Sequence, residues 1–363
     1  MLVSRILCLA LILFTTESAR CSDGGGDWVN SLGGQYSYDR SGQITAVDLS
    51  NAWVNDADLE KLPRLPELEI LDLAYTKVTD LGLEQLKPLK NVQTLNLRYA
   101  EYVTDLGIAH LKHWKNLQHL DLRGTKVTSS VFEHAAKMTR LRFLDVGHSR
   151  VNDDFFEHLA SLEHLEHFSC GGNKMSGSSL PLLKSLASLR ELNVAGQQRT
   201  DSGLWSMSVT DFNIDNIAQL NQLEALDVGR SNLTDRGVAR LAELKNLHTL
   251  SLQGTRITGK GIAAICHLPK LRHLKLWQAE RIDDSAVPYF LEMKQLEVLE
   301  VSETKITGQG IAELAGLQNL KRLFLAGLDV TPGEVDELRQ AMPHCTITWW
   351  KQPVIENPQE NRR

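Results

Sequence analysis

Cysteine is scarce in this chain, five in 363 residues. Their spacing matches neither a metal motif nor a dense disulfide framework. A surplus of positive charge is also missing: the net charge is −6 with both signs interspersed. That removes the basic stripe a phosphate backbone requires, so no nucleic acid is expected as a partner. Long hydrophobic runs are lacking too. The longest, residues 6–14, is too short to cross a bilayer as a helix, so no stable membrane span is expected. There is no nucleophile elbow, no P-loop and no Gly-rich dinucleotide turn, so no enzymatic activity, cofactor or metal is expected.

What the N-terminus does contain is Arg5 ahead of that apolar run, and then Thr16 and Ser18 at the −3 and −1 positions for cleavage after Ser18. This order predicts a signal peptide over residues 1–18 and an exported protein, secreted or periplasmic. Arg20 immediately before Cys21 makes a poor lipidation signal. Cys170 fills a slot held elsewhere by Leu or Val and reads as a small core hydrophobe.

From residue 44 onward one phrase recurs. Its cleanest copy places Leu68, Leu71 and Leu73 ahead of Thr76, Val78, Thr79, Asp80 and Gly82, with Leu83, Leu86 and Leu89 behind. Copies restart at Val92, Leu117, Leu141, Leu165, Leu189, Leu223, Leu247, Leu271, Leu296 and Leu320, at steps of 24 or 25 residues with one of 34. Leu71 and Leu73 alternate with Ile70, Asp72 and Ala74, the period-2 pattern of a strand with one buried face. Leu83, Leu86 and Leu89 recur every three residues, a short helix with one apolar stripe. Thr79 is placed to cap that helix, and Asp80 sits at its positive end. One copy cannot bury its leucines alone, so successive copies must stack.

The expected architecture is therefore α/β: a right-handed solenoid, curved like a horseshoe, with a parallel concave sheet and a helical convex side. Its expected parts are a linker and capping hairpin at 19–43, about 12 repeats with a closing strand at 44–350, and a polar, disordered tail at 351–363. These residues resemble the leucine-rich-repeat superfamily, in the helical-backed form found in exported bacterial repeat proteins, F-box proteins and ribonuclease inhibitor. The slot that the family usually fills with Asn or Cys is here Thr76, Thr125, Ser149, Asn173, Ser231, Thr255 and Thr304. Their short polar side chains can still bond the turn backbone.

The resemblance implies a binding module, with partners meeting the concave strand face. The slot between the strand leucines reads as an exposed row, acidic in its first half: Asp48, Asp72, Asn96, Asp121, Asp145, Ser169, Asn193, Asp227, Ser251, Lys275, Glu300 and Phe324. Just beyond lie Tyr75, Arg98, Tyr99, Arg123, His148, Arg230, Trp277 and Gln278, side chains of the kind enriched at interface hot spots. The 34-residue step carries an insertion after Thr200, Asp201 and Gly203, with Trp205, Met207 and Phe212 in it, and insertions in solenoids often face the functional side. His119 and His167 share a slot two copies apart, about 10 Å and too far for one metal. The resulting expectation is a noncatalytic exported module that binds a protein ligand, with a glycan as second choice. The alternative is an intracellular F-box-type adaptor selecting ubiquitin-ligase substrates. No F-box-like segment precedes the repeats, which counts against it.

Overall fold

The computed structural model describes residues 26–350 apart from 197, 201, 202, 206 and 207, with the backbone alone at 198–200 and 203–205. The expected signal segment 1–18, Cys21, Met207, the expected tail 351–363 and the Trp205 side chain lie outside the described residues. Contacts divide the chain into two units, residues 1–149 and 150–363.

In the first unit a short helix, Asp27–Ser31, precedes an antiparallel hairpin of β1 (Gln35–Tyr38) and β2 (Ile44–Asp48). Asp39 closes its turn by accepting from the Ser41 and Gln43 amides. Parallel strands follow one per repeat: β3 (Ile70–Asp72), β4 (Thr94–Asn96), β5 (His119–Asp121) and β6 (Phe143–Asp145). Their register sets Leu71, Leu95, Leu120 and Leu144 side by side.

The second unit continues the pattern with β7 (His167–Ser169), β8 (Glu191–Asn193), β11 (Ala225–Asp227), β12 (Thr249–Ser251), β13 (His273–Lys275), β14 (Val298–Glu300), β15 (Arg322–Phe324) and β16 (Thr346–Thr348). Between β8 and β11 the insertion forms its own antiparallel hairpin, β9 (Gln198–Thr200) with β10 (Gly203–Trp205). Leu192 still pairs directly with Leu226, so the parallel ladder passes the insertion unbroken. Pro332–Ala341, the last helix, leads into the closing strand β16.

Burial explains why every copy folds alike. Leu68, Leu71, Leu73, Val78, Leu83, Leu86 and Leu89 are each at most 1% exposed. At about 1.5–3 kcal/mol per buried aliphatic side chain, this stripe is the largest favourable contribution in each repeat. The strand ends in a turn held by hydroxyls: Thr76 Oγ1 donates to the Leu73 carbonyl at 2.7 Å, Thr125 to Leu122 at 2.7 Å and Thr255 to Leu252 at 2.6 Å. Asn173 Nδ2 does the same at Cys170, 2.9 Å away. The hydroxyls thus do the work of the family's usual amide. Cys170, Cys266 and Cys345 are buried, and none of the three is in a disulfide.

At the helix start the Thr-Asp-x-Gly phrase is one device spanning two repeats. Asp80 Oδ1 accepts the Thr104 amide at 2.8 Å and its Oδ2 accepts the Thr104 hydroxyl at 2.6 Å. Asp56, Asp105, Asp235 and Asp284 do likewise for Thr79, Thr128, Thr258 and Thr307. Asp56, Asp80, Asp235 and Asp284 also lie against a Gly of the next repeat; a Cβ on Gly261 would stand 2.7 Å from Asp235 Oδ1. Thr104 meanwhile caps its own helix by accepting from the Leu106 amide.

At the long step this ladder corrects the sequence expectation. Thr234 bonds Asp211, so Thr210 and Asp211 hold this copy's place in the ladder, ahead of the helix Asp215–Ala218, and the insertion precedes them. Thr200 and Asp201 fit the local phrase, but Thr200 belongs to the hairpin strand β9. A local match cannot reveal which aspartate reaches the next repeat. No helix among the described residues is long and apolar enough to cross a membrane.

Candidate binding surfaces

Three residues past each strand the backbone enters the left-handed region. Gly124 (φ 73°), Gly172 (72°), Gly254 (60°) and Gly327 (70°) hold this place in some repeats. In others it is held by Tyr75 (59°), Tyr99 (54°), His148 (52°), Arg230 (56°), Gln278 (57°) and Glu303 (54°). A side chain there costs about 1–2 kcal/mol that glycine avoids. Five of the residues nominated from sequence, Tyr75, Tyr99, His148, Arg230 and Gln278, occupy this one position.

The acidic row turns out to hold the turn together. Asp72 Oδ1 accepts the Ala74 amide at 2.9 Å, Asp121 the Arg123 amide at 2.9 Å, Asp145 the Gly147 amide at 2.7 Å and Asp227 the Gly229 amide at 2.9 Å. Asp121, Asp145, Ser169 and Ser251 are buried, so the expectation of a uniformly exposed row is corrected. Bonding inward to the turn occupies one oxygen of each of these carboxylates.

In the first unit the buried acids draw in two arginines. Arg98 Nε lies 3.0 Å from Asp121 Oδ2 and its Nη2 3.8 Å from Asp145, while Arg123 Nη1 stands 3.6 Å from Asp145. Burial, and then repulsion from Asp145, push the Asp121 carboxyl up to about 6 against the pull of Arg98. Burial likewise raises Asp72, which accepts from Asn96 Nδ2 at 2.8 Å. Burial, followed by the Arg123 charge, lowers His148, so its imidazole is neutral at neutral pH. Above this network Tyr75 stacks on Tyr99, with centroids 5.1 Å apart and planes at 24°. The Tyr99 ring covers Gly124, where any Cβ would collide with it.

A second row escaped the sequence reading. Trp53, Lys77, Tyr102 and Lys126 each precede the buried valine of their repeat. Lys77 Nζ stands 4.9 Å over the Trp53 ring and Lys126 Nζ 5.0 Å over Tyr102. Trp53 is 85% exposed and Tyr102 51%, with Leu81 and Leu106 at 67% each. Aligning each residue before the recurring valine would have found this row.

In the second unit the Arg230 guanidinium lies 5.3 Å over the Trp277 ring and Arg230 Nη2 donates to Gln278 Oε1 at 3.3 Å. Trp277 is therefore half-buried beneath an arginine. Phe212, 88% exposed, follows Asp211 of the ladder. His119 stacks on Phe143 at 3.9 Å, His167 bonds Glu191 at 3.0 Å, and burial holds His273 down at about 4.

Across repeats Cys266, His267 and Glu292 bring three potential metal ligands within 4.8 Å of one another. Glu292 Oε2 lies 3.3 Å from the thiol and 3.7 Å from the imidazole. Sequence spacing could not show this, because Glu292 comes from the next copy. Burial and Glu292 push the thiol up to about 11, so without a cation it stays protonated. His267 and Glu292 hold the same slot in successive copies, so stacking alone brings that pair together.

A family model described as "Leucine Rich repeat" matches residues 65–87 and 243–266, one stretch in each unit. No curated protein matches the chain in sequence. Among solved structures it is similar to an internalin of Listeria monocytogenes, with 20% identity, TM-score 0.57, and coverage of 90% of this chain and 95% of that one. It is also similar to the ectodomain of the Arabidopsis receptor kinase HAESA, solved with an IDA peptide hormone ligand. That match has 19% identity and TM-score 0.51, and covers 87% of this chain and 47% of that one. With the stacked leucines, the hydroxyl turns and the matched repeats all in place, this chain carries leucine-rich repeats and has the leucine-rich-repeat fold.

Proposed function

We propose that this chain is an exported, noncatalytic module that captures a protein ligand on its strand face and strand-exit rim. The observation that carries this is the Tyr75–Tyr99 stack: two half-exposed rings held at left-handed backbone positions that glycine fills more cheaply in neighbouring repeats. Backbone strain retained twice in succession, with rings presented to solvent, fits a contact surface better than a packing need. Arg98 and Arg123 brace the same rim from below through Asp121 and Asp145. The nominated contact residues are Tyr75, Arg98, Tyr99, Arg123 and His148 in the first unit, and Trp205, Phe212, Arg230 and Trp277 in the second.

That the HAESA ectodomain was solved holding a peptide supports a polypeptide ligand here ahead of a glycan. Cys266 and Cys345 are both pushed up to about 11 and so are not thiolates near neutrality, which counts against a cysteine nucleophile at either position. Export is supported by Arg5 and the apolar run at 6–14; sequencing the mature N-terminus should find a start near Ala19.

The binding test is comparative. The mature protein and its Tyr75→Ala/Tyr99→Ala variant are immobilised as baits, and their melting temperatures are matched first. A partner captured by the first and lost by the second supports the rim. Equal capture by both would remove it.

A further inference from the structure

Away from the tyrosine rim, the second unit carries a cleft of about 470 Å³ lined by Arg230, Gly254, Thr255, Arg256, Gln278, Glu280 and Arg281. Its origin is legible in the repeat. Arg230, Gly254 and Gln278 hold the left-handed turn position in three successive copies. The middle one has no side chain, and that gap opens the cleft. Arg230 lies across the gap, since a Cβ on Gly254 would stand 3.0 Å from its Cγ. It reaches Gln278 two copies on, and Gln278 Nε2 in turn donates to Glu303 Oε2 at 2.9 Å. With the Trp277 ring beneath it, the Arg230 guanidinium is held in place before any ligand arrives.

Arg256 and Arg281 line the other side. They precede the buried Ile257 and Ile282 of their copies, so they stand in the same slot one repeat apart. Neither makes an ion pair among the described residues, and both are exposed. Three guanidinium groups around one depression, against a single lining carboxylate, leave it positive in a chain whose net charge is −6.

We propose that this cleft binds carboxylate side chains of an acidic polypeptide segment. Guanidinium forks match carboxylates in a planar, two-bond geometry. Glu280 on the wall disfavours denser polyanions, whose sulfates or phosphates would meet it at close range. Thr255 and Gln278 offer neutral hydrogen-bonding groups suited to peptide amides. This deepens the reading of the chain as a protein-binding module and names the chemistry of the partner at a second place on it.

The test uses the full mature chain and a labelled short peptide alternating glutamate with serine, followed by fluorescence anisotropy at low salt. Binding that weakens about tenfold for each of Arg256→Ala and Arg281→Ala, and that falls with added salt, supports the proposal. Gly254→Asn fills the gap with the residue that after glycine best adopts a left-handed backbone, and should weaken binding while modestly lowering the melting temperature. Absence of peptide binding would overturn the cleft, as would undiminished binding by Arg256→Glu/Arg281→Glu. Preference for a heparin-derived oligosaccharide or for inorganic phosphate, lost in the same variants, would overturn the assignment to carboxylates. None of these variants touches Tyr75 or Tyr99, so this proposal and the rim can fail separately.

Discussion

Each repeat has two edges, and they treat chemistry in opposite ways. At the helix start the same residue types recur. Asp56, Asp80, Asp105, Asp235 and Asp284 each bind a threonine of the following copy, and most lie against a glycine there. At the strand exit one backbone conformation recurs, but the side chains run through Tyr, His, Arg, Gln, Glu and Gly. A slot that holds its residue type constant is answering to its neighbours in the stack. A slot that holds its geometry and varies its residue is free to answer to something outside. The difference separates stacking from recognition without reference to any ligand.

The largest expected effect lies on the constant edge. Asp235→Ala removes both acceptors of Thr258, whose amide and hydroxyl each lie 2.7 Å from a carboxylate oxygen. Two charge-assisted bonds at about 1.5–3 kcal/mol each, partly replaced by water, predict a loss of about 3 kcal/mol in urea unfolding. A loss under about half a kcal/mol would show that the ladder is ornamental and break the comparison.

Next is Arg98→Ala, which leaves Asp121 and Asp145 buried with only Arg123 near Asp145. Breaking a buried pair costs about 3–5 kcal/mol; Arg98 is 38% exposed, and solvent screening brings the expected loss down to about 2 kcal/mol. The same network sets a pH dependence. Asp121 holds its proton more tightly folded, at about 6, than unfolded, near 3.9. Its contribution is therefore present below the unfolded value and is lost as pH rises through 6. Between pH 4 and 7 the wild type should lose about 2 kcal/mol more than Asp121→Asn, read from melting temperatures along that range. Parallel curves for the two proteins would remove Asp121 from the account.

How far the sequence could be read follows the same division. The stacking was legible because each device is local in pattern: alternation at Leu71 and Leu73, three-residue spacing at Leu83 and Leu86, and a hydroxyl at Thr76. Even Thr79 declared itself as a cap. The partner of Asp80 was hidden, because Thr104 is one repeat away and nothing local marks that bond. The acidic row was misread for a related reason. Alternation says which way Asp121 points, but not that it curls back to the Arg123 amide. Trp53 and Tyr102 were missed because their slot is filled by Lys77 and Lys126 in the adjoining copies, and only stacking turns that alternation into cation–ring contacts. The cleft was invisible for the plainest reason: it is made by the side chain that Gly254 lacks.

The smallest expected change in stability is the most telling for the variable edge. Tyr99→Gly relieves a left-handed residue, a gain of about 1–2 kcal/mol, and removes the stack on Tyr75 and the cover over Gly124, a loss of about 1 kcal/mol or slightly more. The two nearly cancel, so the melting temperature should stay within a few degrees of wild type while partner capture falls. Tyr99→Ala keeps the strained backbone without the ring, and should be the less stable of the two by about 1 kcal/mol. That ordering, glycine above alanine at a position where tyrosine is native, is expected only where the backbone and not the side chain serves the fold. If alanine proved the more stable, the left-handed position would carry no strain, and the tyrosines would lose their claim to be there for a partner.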